Sequence, residues 1–282
     1  MTHTFEKKLC DAALKGRVSE VSSLLKDHPD LDVNWEVSQS TPLHRASKNG
    51  HVEIVKLLLA HPVIHVNVKN NYGETPFSLA CLNGFVGVVC LMLKDPRVDV
   101  ALDDEGGRTP LWWATCYGEC DVVEWLIASG RNIGDVNKKK GKFMSGQEYT
   151  ALEVARENQK TDIVPVLERF RVNSTHTQYQ LRVTLGLLDE LAADVFTLTV
   201  FLSDGFLQLK PAPSSSNQTS ATAAAAAAFH FFTVASKLPM ELQMILCRRA
   251  VGSMKQNILR NDSNVAFQSL ARVLLLPPSR SN

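Results

Sequence analysis

Excess charge of either sign, a long apolar run, a cysteine framework and a catalytic signature are all missing from this chain of 282 residues. Lys plus Arg number 30 against 29 for Asp plus Glu, so no polycationic surface draws the chain to nucleic acid or to a membrane. The longest apolar stretch runs from Val195 to Leu202 and soon meets Asp204, well short of the roughly 20 residues that cross a bilayer. No basic-then-apolar leader opens the sequence, and the expected home is intracellular, cytoplasmic rather than nuclear. Without a secretory route, the acceptor patterns at Asn173, Asn217 and Asn261 are chance matches. The six cysteines, Cys10, Cys81, Cys90, Cys116, Cys120 and Cys247, follow no disulfide spacing. Cys116 and Cys120 stand four apart but lack a second Cys/His pair with zinc spacing, so buried reduced thiols are expected and no metal. A phosphate-cradling glycine loop, an H-E-x-x-H helix and a nucleophile elbow are likewise absent. Neither a cofactor nor an enzymatic activity is expected.

What the chain has instead is repetition. S-T-P-L-H-R-A-S-K-N-G-H-V-E-I-V-K-L-L-L begins at Ser40, E-T-P-F-S-L-A-C-L-N-G-F-V-G-V-V-C-L-M-L at Glu74, and R-T-P-L-W-W-A-T-C-Y-G-E-C-D-V-V-E-W-L-I at Arg108. Thr41, Thr75 and Thr109 are spaced by 34 residues each, a period that marks stacked units unable to bury their apolar faces alone. Each place in the unit has a physical reason. Proline at 42, 76 and 110 suits the first helical turn, where its missing N–H costs nothing. The threonine before it accepts hydrogen bonds from that turn's orphan amides. Alanine at 46, 80 and 114 lets neighbouring helices approach, and glycine at 50, 84 and 118 ends the first helix in a left-handed conformation. Ile54-Val55 with Leu57-Leu58-Leu59, and their counterparts 34 and 68 residues on, give the stripe of a second buried helix.

On these residues the chain resembles the ankyrin-repeat family, whose T-P-L-H-x-A and G-H-x-E-I-V-x-L-L-L signatures stand nearly intact in the first copy. The resemblance implies an all-α fold: a solenoid of helix-turn-helix units with hairpin loops. Residues 5–36 read as a divergent first repeat without the Thr-Pro start. Residues 150–170 read as a last one, with Ala151 in place of proline, Gln159 in place of glycine, and about seven residues inserted before it around N-K-K-K-G-K-F-M-S-G. Terminal units are expected to be atypical. That makes about five repeats over residues 1–170. The K-K-K-G-K run reads as a solvated loop, and Gly107 in D-D-E-G-G-R as a turn residue.

The family's mode of action implies a protein partner held on the concave face by hairpin tips and the exposed ends of first helices. Register places Lys48, Asn71, Tyr72, Glu74, Asn83, Arg108, Trp113, Tyr117 and Tyr149 there, with Val37, Ser38 and Ser40 on the first finger. Exposed aromatic and arginine side chains are frequent binding anchors. His44 holds the family's loop-locking position, Trp112 takes the same place in the third copy, and Trp112 and Trp125 are expected in the core. The chain is expected to be monomeric.

The remainder reads as a helical C-terminal domain. Residues 171–210 hold long amphipathic helices with leucine and valine at helical spacing and break points at Gly186 and Gly205. Residues 211–228 are low-complexity, a linker, and residues 229–276 form helices that pack with 178–209. The segment L-P-M-E-L-Q-M-I-L from Leu238 resembles the opening of an F-box, which implies docking to a ubiquitin-ligase linker protein. The expectation is instead a cap that buries Leu242, Ile245 and Leu246 within the chain, with the F-box-like docking helix near 238–246 as the alternative. The whole arrangement also resembles ankyrin proteins of fungi and other simple eukaryotes.

Overall fold

A computed structural model describes residues 4–137, 141–142, 146–203, 228, 231–233, 235 and 240–250. The chain divides into two compact units, Met1–Arg182 and Val183–Asn282.

In the first unit, helices come in pairs: α1 (Thr4–Leu14) with α2 (Val18–Asp27), α3 (Pro42–Lys48) with α4 (Val52–Leu59), α5 (Pro76–Leu82) with α6 (Val86–Leu93), α7 (Pro110–Tyr117) with α8 (Cys120–Ser129), and α9 (Ala151–Glu157) with α10 (Ile163–Val172). First helices stack on first helices and second on second, in chain order. This is the solenoid that the 34-residue period predicts. Thr41, Thr75, Thr109 and Thr150 each cap a first helix, their hydroxyls accepting the N–H three residues on. Proline follows in the three middle copies. Ala46, Ala80 and Ala114 are completely buried between first helices, as are Val55, Val89 and Val123 on the second.

Gly84 shows why the unit closes as it does. Its φ is +71°, and an added Cβ would lie 2.0 Å from the Glu119 carboxylate of the next repeat. Gln159 keeps the same left-handed backbone, φ +54°, without being glycine.

Neighbouring repeats are stitched by side chains that reach back to helix ends. Arg97 donates to the carbonyl of Leu59, Arg131 to that of Leu93 and Arg182 to that of Ala128. A guanidinium at the negative end of a helix satisfies orphan carbonyls and complements the dipole. Asn34 and Asn67 make a second ladder, each bonding a carbonyl and an N–H of the following repeat.

The inserted segment before the last repeat forms a short antiparallel ladder, β1 (Gly141–Lys142) with β2 (Glu148–Tyr149). Residues 138–140 of the basic run lie outside the described residues. Helix α11 (Ser174–Thr184) follows α10 and buries Thr177 and Leu181, and Gly186, at φ +71°, marks a break beyond it.

In the second unit, α12 (Leu188–Ser203) packs against α13 (Met240–Ala250). Ala192, Ala193, Phe196 and Cys247 are its core, with Val195, Val200, Phe231 and Met244 against them. The buried Arg248 guanidinium pairs with Asp189 at 2.5 Å, and Thr199 lies against the Cys247 thiol at 3.5 Å. One expectation of a cap is corrected here. Met240, Leu242 and Ile245 are exposed to 58%, 49% and 37%, and Leu246 is half-buried. The face of α13 turned inward is that of Gln243, Cys247 and Arg248, a set at the i, i+4, i+5 spacing of one helical stripe. Most of the low-complexity stretch, together with Leu238 and Pro239, falls outside the described residues.

A candidate interaction groove

Three hairpin fingers precede α3, α5 and α7, and each is built differently. In the second, the Asn70 side chain accepts the N–H groups of Tyr72 and Glu74 and gives its own amide to the Glu74 carboxylate. This Asx arrangement fixes the turn and holds Tyr72 upright, 71% exposed. In the third, Asp104 does the same work and more. One carboxylate oxygen accepts from the backbone of Gly106 and Arg108, and the other from Arg108 Nε at 2.8 Å and Trp113 Nε1 at 3.0 Å. The Arg108 guanidinium lies 4.3 Å from the Trp113 ring centre, a cation–π contact. The first finger has neither device. Val37 and Ser40 pair as an isolated antiparallel bridge, Arg45 ties the Val37 carbonyl down at 2.8 Å, and Ser38 and Gln39 sit at φ +53° and +58°.

Between the first and second fingers lies a groove of about 280 Å³, walled by Leu14, Lys48, Ser38, Ser40, Tyr72 and Glu74 among others. His44 forms part of its lining. Its Nδ1 lies 2.8 Å from the Thr41 hydroxyl and accepts the Thr41 N–H, so Nε2 carries the proton and donates to the Glu74 carbonyl at 3.2 Å. Burial pushes this imidazole down to about 4, against the pull of the Glu74 and Val68 backbone. The ring is neutral at physiological pH. Trp112, at the same place in the third copy, is buried and sends its Nε1–H to the Tyr149 carbonyl at 3.3 Å, so an indole supplies the lock that the imidazole supplies earlier.

The residues expected on the concave face separate into two groups. Lys48 and Tyr72 reach the groove with Glu74, and Asn71 is exposed at the fingertip beside them. Asn83 is exposed, but its amide is spent on the Leu79 carbonyl at the end of α5. Arg108 and Trp113 are half-buried and tied to Asp104. Tyr117 is 56% exposed, with its ring 5.9 Å from that of Trp113, and its carbonyl accepts from Lys160. Tyr149 is half-buried on β2. Trp125, expected in the core, is half-buried.

Leu14 and Asp104 were not among the expected site residues, although the register points to both. Leu14 stands 34 residues before Lys48, and Asp104 the same distance after Asn70.

Five of the six thiols are shifted toward their protonated form. Burial raises Cys10 to about 11, and burial also raises Cys81, Cys116, Cys120 and Cys247. Thiolates are the reactive form. Among the described residues no cluster of His, Cys, Asp and Glu could hold a metal ion, and no helix is long and apolar enough to cross a membrane.

Comparison with known proteins agrees with this architecture. The family described as ankyrin repeats (3 copies) matches residues 9–104 and, overlapping, 64–140. Among curated proteins, the SMC5-SMC6 complex localization factor protein 1 of Bos taurus is 43% identical over 68 residues, 23% of this chain and 6% of that protein. Ankyrin repeat and LEM domain-containing protein 2 of Mus musculus is 42% identical over 62 residues, 22% of this chain and 6% of that protein. The chain thus spans a small fraction of the length of these relatives.

Proposed function

Starting from an ankyrin-repeat array over residues 9–140, we propose that this protein is a non-enzymatic interaction scaffold that holds a protein partner on its concave face. Ankyrin repeats imply a protein–protein interaction role, and the observation that supports the concave face is the pair Tyr72 and Tyr117. Each projects a large amphipathic ring into solvent from a rigid, repeat-anchored backbone. Such rings supply contact area at low entropic cost and are over-represented among residues that dominate binding energy. The test is affinity capture from a cell extract by the intact chain and by a Tyr72→Ala/Tyr117→Ala double variant of equal thermal stability. A partner held by the concave face falls away from the double variant. Full retention moves the site elsewhere.

A second reading is favoured by the exposed Met240, Leu242 and Ile245 of α13. An F-box-like helix that docks a ubiquitin-ligase linker protein needs such a face open. On this reading the ankyrin array selects a substrate and α13 recruits the ligase. Leu242→Asp then keeps its melting temperature and loses capture of the linker protein, whereas a drop in melting temperature assigns that face to intramolecular packing.

A further inference from the structure

We infer that the groove between the first and second fingers takes an extended peptide segment that carries one acid and one base on the same face, the acid against Lys48 and the base against Glu74. This rests on the concave-face reading and narrows it to one place and one chemistry. The charge in the lining comes from Arg45, Lys48 and Glu74, since the His44 imidazole is neutral and held between the Thr41 hydroxyl and the Glu74 carbonyl. Arg45 donates to the Val37 carbonyl and faces the carboxylate of Asp11 at 3.9 Å. One cation and one anion are left. The Glu74 carboxylate receives the neutral Asn70 amide at 2.9 Å, which fixes its place without cancelling its charge. Lys48 ends α3, whereas Glu74 belongs to the second finger, and among the described residues no ion pair joins the two.

The groove is therefore neutral in sum and polarised between its two walls. A segment of one sign answers one of these charges and repels the other, whereas a segment with both signs complements each in place. Side chains recur on one face of an extended chain at every second residue. That separation exceeds an ion-pair contact, as two charges that do not pair require. Tyr72, two residues before Glu74 and 71% exposed, offers its ring to the aliphatic stem of the base. Leu14, well exposed at the end of α1, lines the groove with Lys48 and adds apolar surface there. The order of the two charges along the segment sets its direction, because the reverse order brings like charges together.

The experiment is selection of a random decapeptide display library on the full chain, repeated with Lys48→Met, Glu74→Gln, the charge-exchanged Lys48→Glu/Glu74→Lys, and Tyr72→Ala/Tyr117→Ala. Circular dichroism checks that each variant melts as the parent does. The neutral variants keep the test open if the exchanged chain melts early, because Glu74→Gln retains an acceptor for the Asn70 amide. The expected result is joint enrichment of an acid and a base in a fixed order. Lys48→Met loses the preference for the acid and keeps that for the base, and Glu74→Gln does the opposite. Each weakens an enriched peptide about fivefold, the order expected for one partly exposed ion pair. The exchanged chain enriches the same two residues in reverse order. Enrichment of an acid alone or a base alone on the parent overturns this inference, as does an unchanged preference in both neutral variants. Peptides that ignore both neutral variants but are lost from the double tyrosine variant overturn it while leaving the concave face as the binding surface. Peptides that ignore the tyrosines as well overturn both readings. No enrichment on any of the chains overturns the inference.

Discussion

The two ends of the row of three fingers are made of the same repeat and finished in opposite ways. Around the second finger, polar groups fix the backbone and leave Tyr72, Lys48 and two serine hydroxyls facing an open groove. Around the third, Asp104, Arg108 and Trp113 satisfy one another, and the shelf they form is complete without a ligand. Residue type alone does not distinguish these cases. Arginine and tryptophan are favoured binding anchors, yet here they are bound to their own chain. The lesson is that a site is read from unspent hydrogen-bonding capacity as much as from exposed aromatic area.

The comparison makes its largest prediction at Asp104. This carboxylate is almost wholly buried and receives four hydrogen bonds, one of them from a guanidinium. Asp104→Ala leaves those donors stranded, and a broken buried pair costs roughly 3 to 4 kcal/mol. Tyr72→Ala, at the open end, leaves stability within about 0.5 kcal/mol. Urea denaturation of the two variants measures both. If Asp104→Ala unfolds at the parent's midpoint, the third finger is not the closed shelf described above.

Acid separates the ends next, through His44. The unfolded imidazole titrates near 6.5 and the folded one near 4, so between those values the unfolded chain binds the proton and the folded chain does not. Stability is therefore fully present above about pH 6.5 and falls as pH drops toward 4. At about 1.4 kcal/mol per pH unit the window amounts to roughly 3 kcal/mol. Trp112 holds the corresponding place at the other end and does not titrate. Unfolding free energies at pH 7.5, 6 and 4.5 should show this slope in the parent and a shallower one in His44→Gln, which keeps a side-chain amide near the Glu74 carbonyl. Equal slopes would remove His44 as the source.

Much of this architecture was legible in the sequence, because a period of 34 fixes not only the helices but which residues share a position. The threonine caps, the prolines after them and the left-handed glycines followed from local backbone chemistry, which neighbours cannot easily override. Even Gln159, a departure from the pattern, kept the backbone geometry of the glycine it replaces. What the sequence hid were side-chain contacts that the period does not encode. Asp104 reads as one more acid in a turn until Trp113 is brought to 3.0 Å from it. The ladders of Arg97, Arg131 and Arg182 depend on carbonyls 33 or more residues away. The inward face of α13 was hidden for another reason. Met240, Leu242, Met244, Ile245 and Leu246 surround the helix, so periodicity does not say which of them meets α12.

Binding provides the third and smaller contrast. For a partner seated in the groove, Tyr72→Ala weakens affinity by about 1 to 2 kcal/mol, and Tyr117→Ala by less, because the Tyr117 ring already rests beside Trp113. Lys48→Ala slows association and flattens its salt dependence. Isothermal titration and stopped-flow measurement with the captured partner test the order. A larger loss at Tyr117 than at Tyr72 would transfer the anchor to the third-finger end.

The smallest effect sits in the first finger. Gln39 occupies the place that Gly73 and Gly107 hold in the next two fingers, 34 and 68 residues on. All three have left-handed backbone, with φ of +58°, +72° and +70°. A glycine adopts that conformation freely, whereas a side chain carries a steric cost of about 1 kcal/mol, part of which the greater freedom of glycine in the unfolded chain cancels. Gln39→Gly should therefore stabilise the chain by about 0.5 kcal/mol, seen as a rise of about 1 °C in melting temperature. Ser38, beside it at φ +53°, lines the groove, and the bond from Arg45 to Val37 holds both in place. Strain kept where a ligand would pass is a mark of functional sites. If the turn holds Ser38 in position for a partner, Gln39→Gly loosens it, and affinity drops while stability rises. A variant that gains stability and keeps full affinity would mean that the first finger is strained without consequence, leaving Lys48 and Tyr72 to carry the open end of the groove.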